Sequence, residues 1–153
     1  MAERTVRVGT ELAAEPADVL AALRRVDTFR YVVGAAMGFE GADGPLPDTW
    51  PTDGSPVALR IRPLHLPGGW RHTIRVVELD PAAGRLATEE GGGPVSRWRH
   101  VITVDPLRSG GCYYVDEVTI EAGGFTPLVA AFAAVFYRWR QLRWRRLARR
   151  LPL

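Results

Sequence analysis

The chain has 153 residues, 46% hydrophobic and 24% charged, with a net charge of +3. That length and mixture fit one globular domain able to bury about 70% of its unfolded surface, and we expect residues 1–153 to form a single ligand-binding domain. The lone cysteine, Cys112, excludes an intrachain disulfide and a Cys-rich metal site, and the longest mostly apolar run is about half the ~20 residues a membrane span needs.

Residues 4–12 alternate in part through Val6, Val8 and Leu12 and predict a first strand. The N-terminus shows no charged start followed by an apolar stretch, so a cytoplasmic location is the expectation. Glu15-Pro16-Ala17-Asp18 opens a short helix, because proline near the first turn with an acid close behind favours a helix start. Asp27 is expected to cap a second short helix through Phe29, Tyr31 and Val32. A short strand near Ala36 to Phe39 precedes a long Pro- and Gly-rich loop that ends at about residue 56. Loops of this length inside a compact domain are often functional, and this one is a candidate lid or a simple surface excursion.

From Val57 the pattern becomes a run of strands. Val57, Leu59 and Ile61 alternate with arginines, Trp70, His72, Ile74 and Val76 form the next strand, and residues 85–90 a short one after the Asp80–Gly84 turn. Trp98, His100, Ile102 and Val104 mark the penultimate strand, and Tyr114, Asp116, Val118 and Ile120 the last. Short connections between consecutive strands predict an antiparallel meander. Thr126 is a good N-cap and Pro127 a good first residue for a long terminal helix. Leu128, Phe132, Val135, Phe136, Trp139, Leu142 and Leu147 recur mostly at spacings of three and four and predict its buried stripe.

The order strand, two short helices, six-strand meander and long helix resembles the helix-grip fold of the START/Bet v 1-like (SRPBCC) superfamily. Ser96-Arg97-Trp98-Arg99-His100-Val101-Ile102, Cys112 to Val118 with its Asp-x-Val, and Phe136-Tyr137-Arg138-Trp139-Arg140 are similar to the last two strands and final helix of a bacterial ligand-binding, polyketide cyclase-like branch. The resemblance implies an α+β fold in which a curved antiparallel sheet wraps a long C-terminal helix. It also implies a cavity for a lipid- or polyketide-like molecule; some members are cyclases or hydratases.

Side chains alternate across a strand, so the even positions of the last two strands share a face that the helix should cover. The candidate ligand-binding set is Leu59, Ile61, His72, Ile74, Trp98, His100, Ile102, Tyr114, Asp116, Val118, Phe132, Phe136 and Trp139. The expected cavity is roughly 300–1,000 Å³. Pairing Val104 with Cys112 would set His100 directly opposite Asp116, with Tyr114 beside them: either a general acid/base set or a satisfied polar patch. His65 and His72 are expected to face inward as well, but no helical ligand spacing accompanies them, and neither a metal nor another cofactor is predicted. No phosphate loop, nucleophile elbow or dinucleotide fingerprint occurs, and no nucleic-acid partner is expected.

Seven arginines lie between Arg138 and Arg150 with no acid among them. A helix longer than a typical strand should overhang the sheet there, exposing Trp144 beside the arginines and permitting weak contact with anionic membranes; an ordinary solvated helix end is the other reading. Three functions stay open at this point: a binder of an apolar or aromatic molecule, a cyclase or dehydratase using His100, Asp116 and Tyr114, and a peripheral membrane or partner module. The sequence leaves the ligand and the oligomeric state undetermined.

Overall fold

The computed structural model describes residues 2–153. The elements in chain order are β1 (Arg4–Leu12), α1 (Pro16–Leu23), α2 (Val26–Val33), β2 (Met37–Gly41), β3 (Val57–Pro63), β4 (Trp70–Asp80), β5 (Arg85–Gly92), β6 (Val95–Pro106), β7 (Cys112–Glu121) and α3 (Thr126–Ala148). Strands β2 to β7 run as an antiparallel meander, and β1 returns to pair with β7, giving a seven-stranded sheet ordered β1-β7-β6-β5-β4-β3-β2. The sheet is curved, and α3 lies across its concave face against β1, β7 and α2. This is the helix-grip arrangement expected from the element order.

Local chemistry fixes the turns. At the β4–β5 turn Gly84 has φ +64°, and a Cβ there would press on the Val104 carbonyl, while Val104 N donates to Gly84 O at 2.8 Å. The β6–β7 hairpin closes through Leu107 N donating to Gly111 O at 3.1 Å, with Gly110 and Gly111 both at positive φ. That closure sets a register two residues away from the expected one: Val104 pairs with Tyr114, not Cys112, and His100 stands opposite Val118 while Ile102 stands opposite Asp116. A shift of two keeps every side chain on its face, whereas a shift of one would have inverted the strand.

Two helix starts differ from expectation. Residue Val26 opens α2, so Asp27 lies in its first turn and caps nothing. Thr126 is the first residue of α3, and its hydroxyl accepts from Ala122 N at 2.9 Å and donates to Gly123 O at 2.8 Å, joining the preceding 3-10 turn to the helix.

The buried face of α3 is rotated from the predicted stripe. It consists of Ala133, Phe136, Tyr137, Arg140, Gln141, Trp144, Leu147 and Ala148. Leu128 and Val135 are each 68% exposed, Phe132 and Leu142 are also largely exposed, and Trp139 is half-buried. The helix end does not overhang. β6 has 12 residues, about 40 Å of strand, which matches the roughly 35 Å of a 23-residue helix. Trp144 is accordingly 0% exposed, its ring 5.3 Å from that of Tyr114, and a membrane contact at this end loses the aromatic anchor it was argued from. Among the described residues no helix is long and apolar enough to cross a membrane.

The rotated face predicts contrasting mutants. Trp144→Ala should cost about 3–5 kcal/mol in urea unfolding, as large aromatic truncations in a core do. Val135→Ser should stay within about 0.5 kcal/mol of wild type, as exposed substitutions do. The reverse order would restore the stripe read from spacing alone.

Candidate functional site

The concave face holds a cavity of about 210 Å³ that opens between the first half of α3 and the ends of β3 and β6. Its wall is mostly apolar: Leu59, Ile61 and Ile74 from β3 and β4, Trp98 from β6, and Phe132 and Phe136 from α3. A second space of about 60 Å³ adjoins it, lined by Thr28, Trp50, Thr88, Ile102 and Trp144 among others. Phe29, Ile74, Glu90, His100 and Arg140 border both spaces, so the polar groups stand at their junction. The larger space falls below the expected volume because Trp98, Phe136 and Tyr137 turn bulky rings into it. Loop 42–56 does not line it. Trp50 N donates to Arg24 O at 2.9 Å and Val26 N to Asp48 O at 3.0 Å, which seats Trp50 against Phe29 over the second space. The loop is a fixed wall of that space, not a lid on the larger cavity's mouth.

Beneath the junction lies a buried carboxylate. Asp116 is 1% exposed. Its Oδ1 accepts from His100 Nε2 at 2.7 Å and from the Tyr114 hydroxyl at 3.1 Å, and its Oδ2 accepts from Gln141 Nε2 at 3.0 Å. His100 reaches it on the diagonal of the β6–β7 ladder, which is why the pair forms although the two residues are not directly opposed. Burial alone would raise the Asp116 pKa. The charge of nearby Arg140 and the hydrogen bonds from His100 and Gln141 outweigh that and hold it below the usual carboxylate value. Burial pushes the Tyr114 phenol well above its ordinary pKa, with the Asp116 charge adding to the effect, so it stays protonated and donates.

Arg140 is buried at 6% exposure. Burial works against its charge, but the Tyr114 oxygen and the Asp116 carboxylate more than offset this, and the guanidinium holds its proton more tightly than usual. A second polar pair borders the larger cavity, with His72 Nε2 3.8 Å from Glu90 Oε1. Burial pushes the Cys112 thiol up to about 11, with the Glu15 charge contributing, so it remains an inert thiol.

Of the residues singled out from sequence, Leu59, Ile61, His72, Ile74, Trp98, His100, Phe132 and Phe136 border the larger cavity. Ile102 borders the second space, and Tyr114 and Asp116 lie behind the wall, meeting it through His100 and Arg140. Val118 is core without cavity surface, and Trp139 packs on the outer side of the helix against Phe136 and Arg143. His65 does not face inward: it sits exposed in the β3–β4 turn with Nε2 donating to Gly34 O at 2.6 Å. Sequence reasoning missed Arg140, Gln141, Tyr137, Glu90 and Trp70. For the first three the signal was available, since positions 133, 137, 140 or 141, 144 and 148 are also spaced by three and four.

No family model matches the sequence, and no curated protein matches it. Solved structures do. TTHA0849 from Thermus thermophilus superposes with a TM-score of 0.73 at 13% identity, covering 98% of this chain and 100% of that one. Protein CV1439 from Chromobacterium violaceum gives 0.71 at 15%, covering 94% and 96%. Ara h 8.0201, a Bet v 1 homologue, gives 0.58 at 13%, covering 93% and 98%. The chain has the Bet v 1-like helix-grip fold. At these identities the likeness carries the architecture and no activity, which has to be argued from the site.

The buried carboxylate gives a signed pH prediction. Its folded pKa lies below the unfolded value of about 3.9, so its stabilisation is fully present above that value and is lost as pH falls through the folded pKa. Asp116→Asn should cost about 1.5–3 kcal/mol at pH 7, because it removes the charge that His100, Tyr114 and Gln141 donate to and that offsets the burial of Arg140. Urea unfolding between pH 7 and 2.5 should show that gap narrowing towards acid; a gap independent of pH would remove the carboxylate from this role.

Proposed function

We propose that this protein binds an apolar or aromatic small molecule in the cavity between the sheet and α3. The observation that carries this is the pairing of a mostly apolar wall with a few polar groups gathered at one point, the composition of small-molecule sites. The size suits a compact guest. An apolar cavity of about 150 Å³ holds benzene, so about 210 Å³ suits a fused aromatic pair or a branched chain of similar bulk. The fold supports the reading at the coarser level, since Bet v 1-like domains are commonly ligand-binding.

A second reading draws on the same site. Asp116 fixes the His100 proton on Nε2, which leaves Nδ1 as the nitrogen able to meet a guest; that is the geometry of an oriented general base beside a cavity. A cyclase or dehydratase would use it with Tyr114 and Asp116 behind. His100→Asn separates the readings, because a binder keeps its affinity and has no turnover to lose.

Native mass spectrometry of gently purified protein, followed by extraction, should recover an apolar guest. Methyl 2-naphthoate at 100 times its Kd should add about 2.7 kcal/mol, or roughly 5–10 °C in Tm. Ile61→Trp, which fills the outer cavity, should abolish that shift while the variant stays folded. No shift with the ester or comparable apolar guests, together with nothing co-purifying, would overturn the binding function.

A further inference from the structure

Seven buried side-chain nitrogen and oxygen atoms find no hydrogen-bond partner among the described residues. Six of them belong to residues that line the two adjoining spaces: Thr28, Trp70, His72, Thr88, Arg140 and Trp144. Buried polar atoms are nearly always paired, so unpaired ones on residues that border a cavity mark where a guest seated by small side-chain shifts can be recognised. Five of the six atoms are hydroxyl oxygens or nitrogens that carry a donor proton whatever the histidine tautomer. The guest they suit is a hydrogen-bond acceptor.

Arg140 sharpens this. A guanidinium has five N–H donors in a planar fork. The one hydrogen bond Arg140 makes is from Nη2 to the Tyr114 hydroxyl, and at 3.4 Å it is long; Nε has no partner. Its guanidinium lies over the Tyr137 ring, 5.6 Å from the centroid. Asp116 lowers the cost of the buried charge at a distance but makes no ion pair with it within 4 Å, because its oxygens already serve His100, Tyr114 and Gln141. A buried cation with an unused fork at the inner end of an apolar cavity is complementary to a carboxylate, which takes two parallel N–H bonds from arginine.

Resting on the binding function above, we infer that the ligand is an apolar monocarboxylate, its carboxylate forked on Arg140 at the junction of the two spaces and its hydrocarbon body running out past Phe136 and Ile61 towards the mouth. Glu90 stands at the same junction, engaged with His72.

Isothermal titration at pH 7.5 with 2-naphthoate and its methyl ester tests this on the wild-type protein. The acid should bind at least tenfold more tightly than the ester, although the carboxylate loses more hydration on entry. Arg140→Gln should bring the two within about twofold. Arg140→Lys, which keeps the charge without the fork, should cut the preference at least threefold, and it carries the test if the Gln variant fails to fold by circular dichroism. Equal binding of acid and ester, or a preference unchanged in the folded variants, would overturn the carboxylate assignment while leaving the cavity function standing. Failure of both probes to bind would remove the cavity function and this assignment together.

Discussion

A carboxylate on the middle of β7 dictates how the rest of the protein is assembled. Asp116 can be buried only if several donors converge on it, and they come from different parts of the chain: His100 from β6, Tyr114 from its own strand, and Gln141 from α3. Gln141 also donates to Val8 O at 2.8 Å, so one side chain ties the helix both to the network and to β1. Non-directional apolar packing would tolerate α3 sliding or turning about its axis. A buried carboxylate with three fixed donors does not, and it selects the rotation in which Arg140 and Gln141 face the sheet while Leu128 and Val135 face outward.

The cavity lies beside this network. A filled helix-grip core would place apolar side chains where Arg140, His100, His72 and Glu90 stand, and close packing would leave little space between them. Polar groups on both sides of the junction keep the walls apart, and Trp98 and Tyr137 brace the gap, with Trp98 Nε1 donating to the Tyr137 hydroxyl at 3.2 Å. Unpaired buried donors each cost free energy that an apolar replacement would avoid. Their concentration around one space, against the thoroughly paired Asp116 a few ångströms behind it, divides the polar interior in two. One part holds the helix to the sheet, and the other borders the cavity without partners of its own.

The architecture was legible in the sequence because its signals are local. Alternation from Val57 to Ile120, turn residues between strands and the proline at the start of α3 each report on a few neighbouring residues. What was not legible depended on choices between near-equivalent patterns. Leu128, Phe132, Val135, Trp139 and Leu142 and the true buried set are both spaced by three and four; ranking by hydrophobicity chose the first, since nothing local says that Gln141 has a carboxylate to meet and Arg140 a buried phenol. The β6–β7 register was a similar choice. Hairpins differing by two residues place the same side chains on the same face, and only the closure at Leu107 and Gly111 decides between them. The face, and with it the meeting of His100 and Asp116, survives either choice because long side chains reach the diagonal.

The arginine run at the end of α3 shows how the same residue type serves inside and outside one helix. Arg143 donates twice to the Tyr31 carbonyl, at 3.2 and 3.0 Å, and its guanidinium lies 4.2 Å from the Tyr31 ring centroid. Arg145 donates to Thr10 Oγ1 at 2.6 Å. These two fasten the second half of the helix to α2 and β1, as a planar cation that stacks and donates along one edge can do and an ammonium cannot. Arg138, Arg146, Arg149 and Arg150 remain exposed. No such clamp exists from Pro127 to Phe136, where no side-chain hydrogen bond holds the helix to the sheet and Leu128 and Phe132 border the opening. The cation run therefore anchors the end of α3 beyond the buried network and leaves the opposite end, beside the mouth, held by apolar contact alone. Since non-directional contacts yield more easily than directed hydrogen bonds, local opening of α3 costs least at its first half, beside the mouth of the cavity.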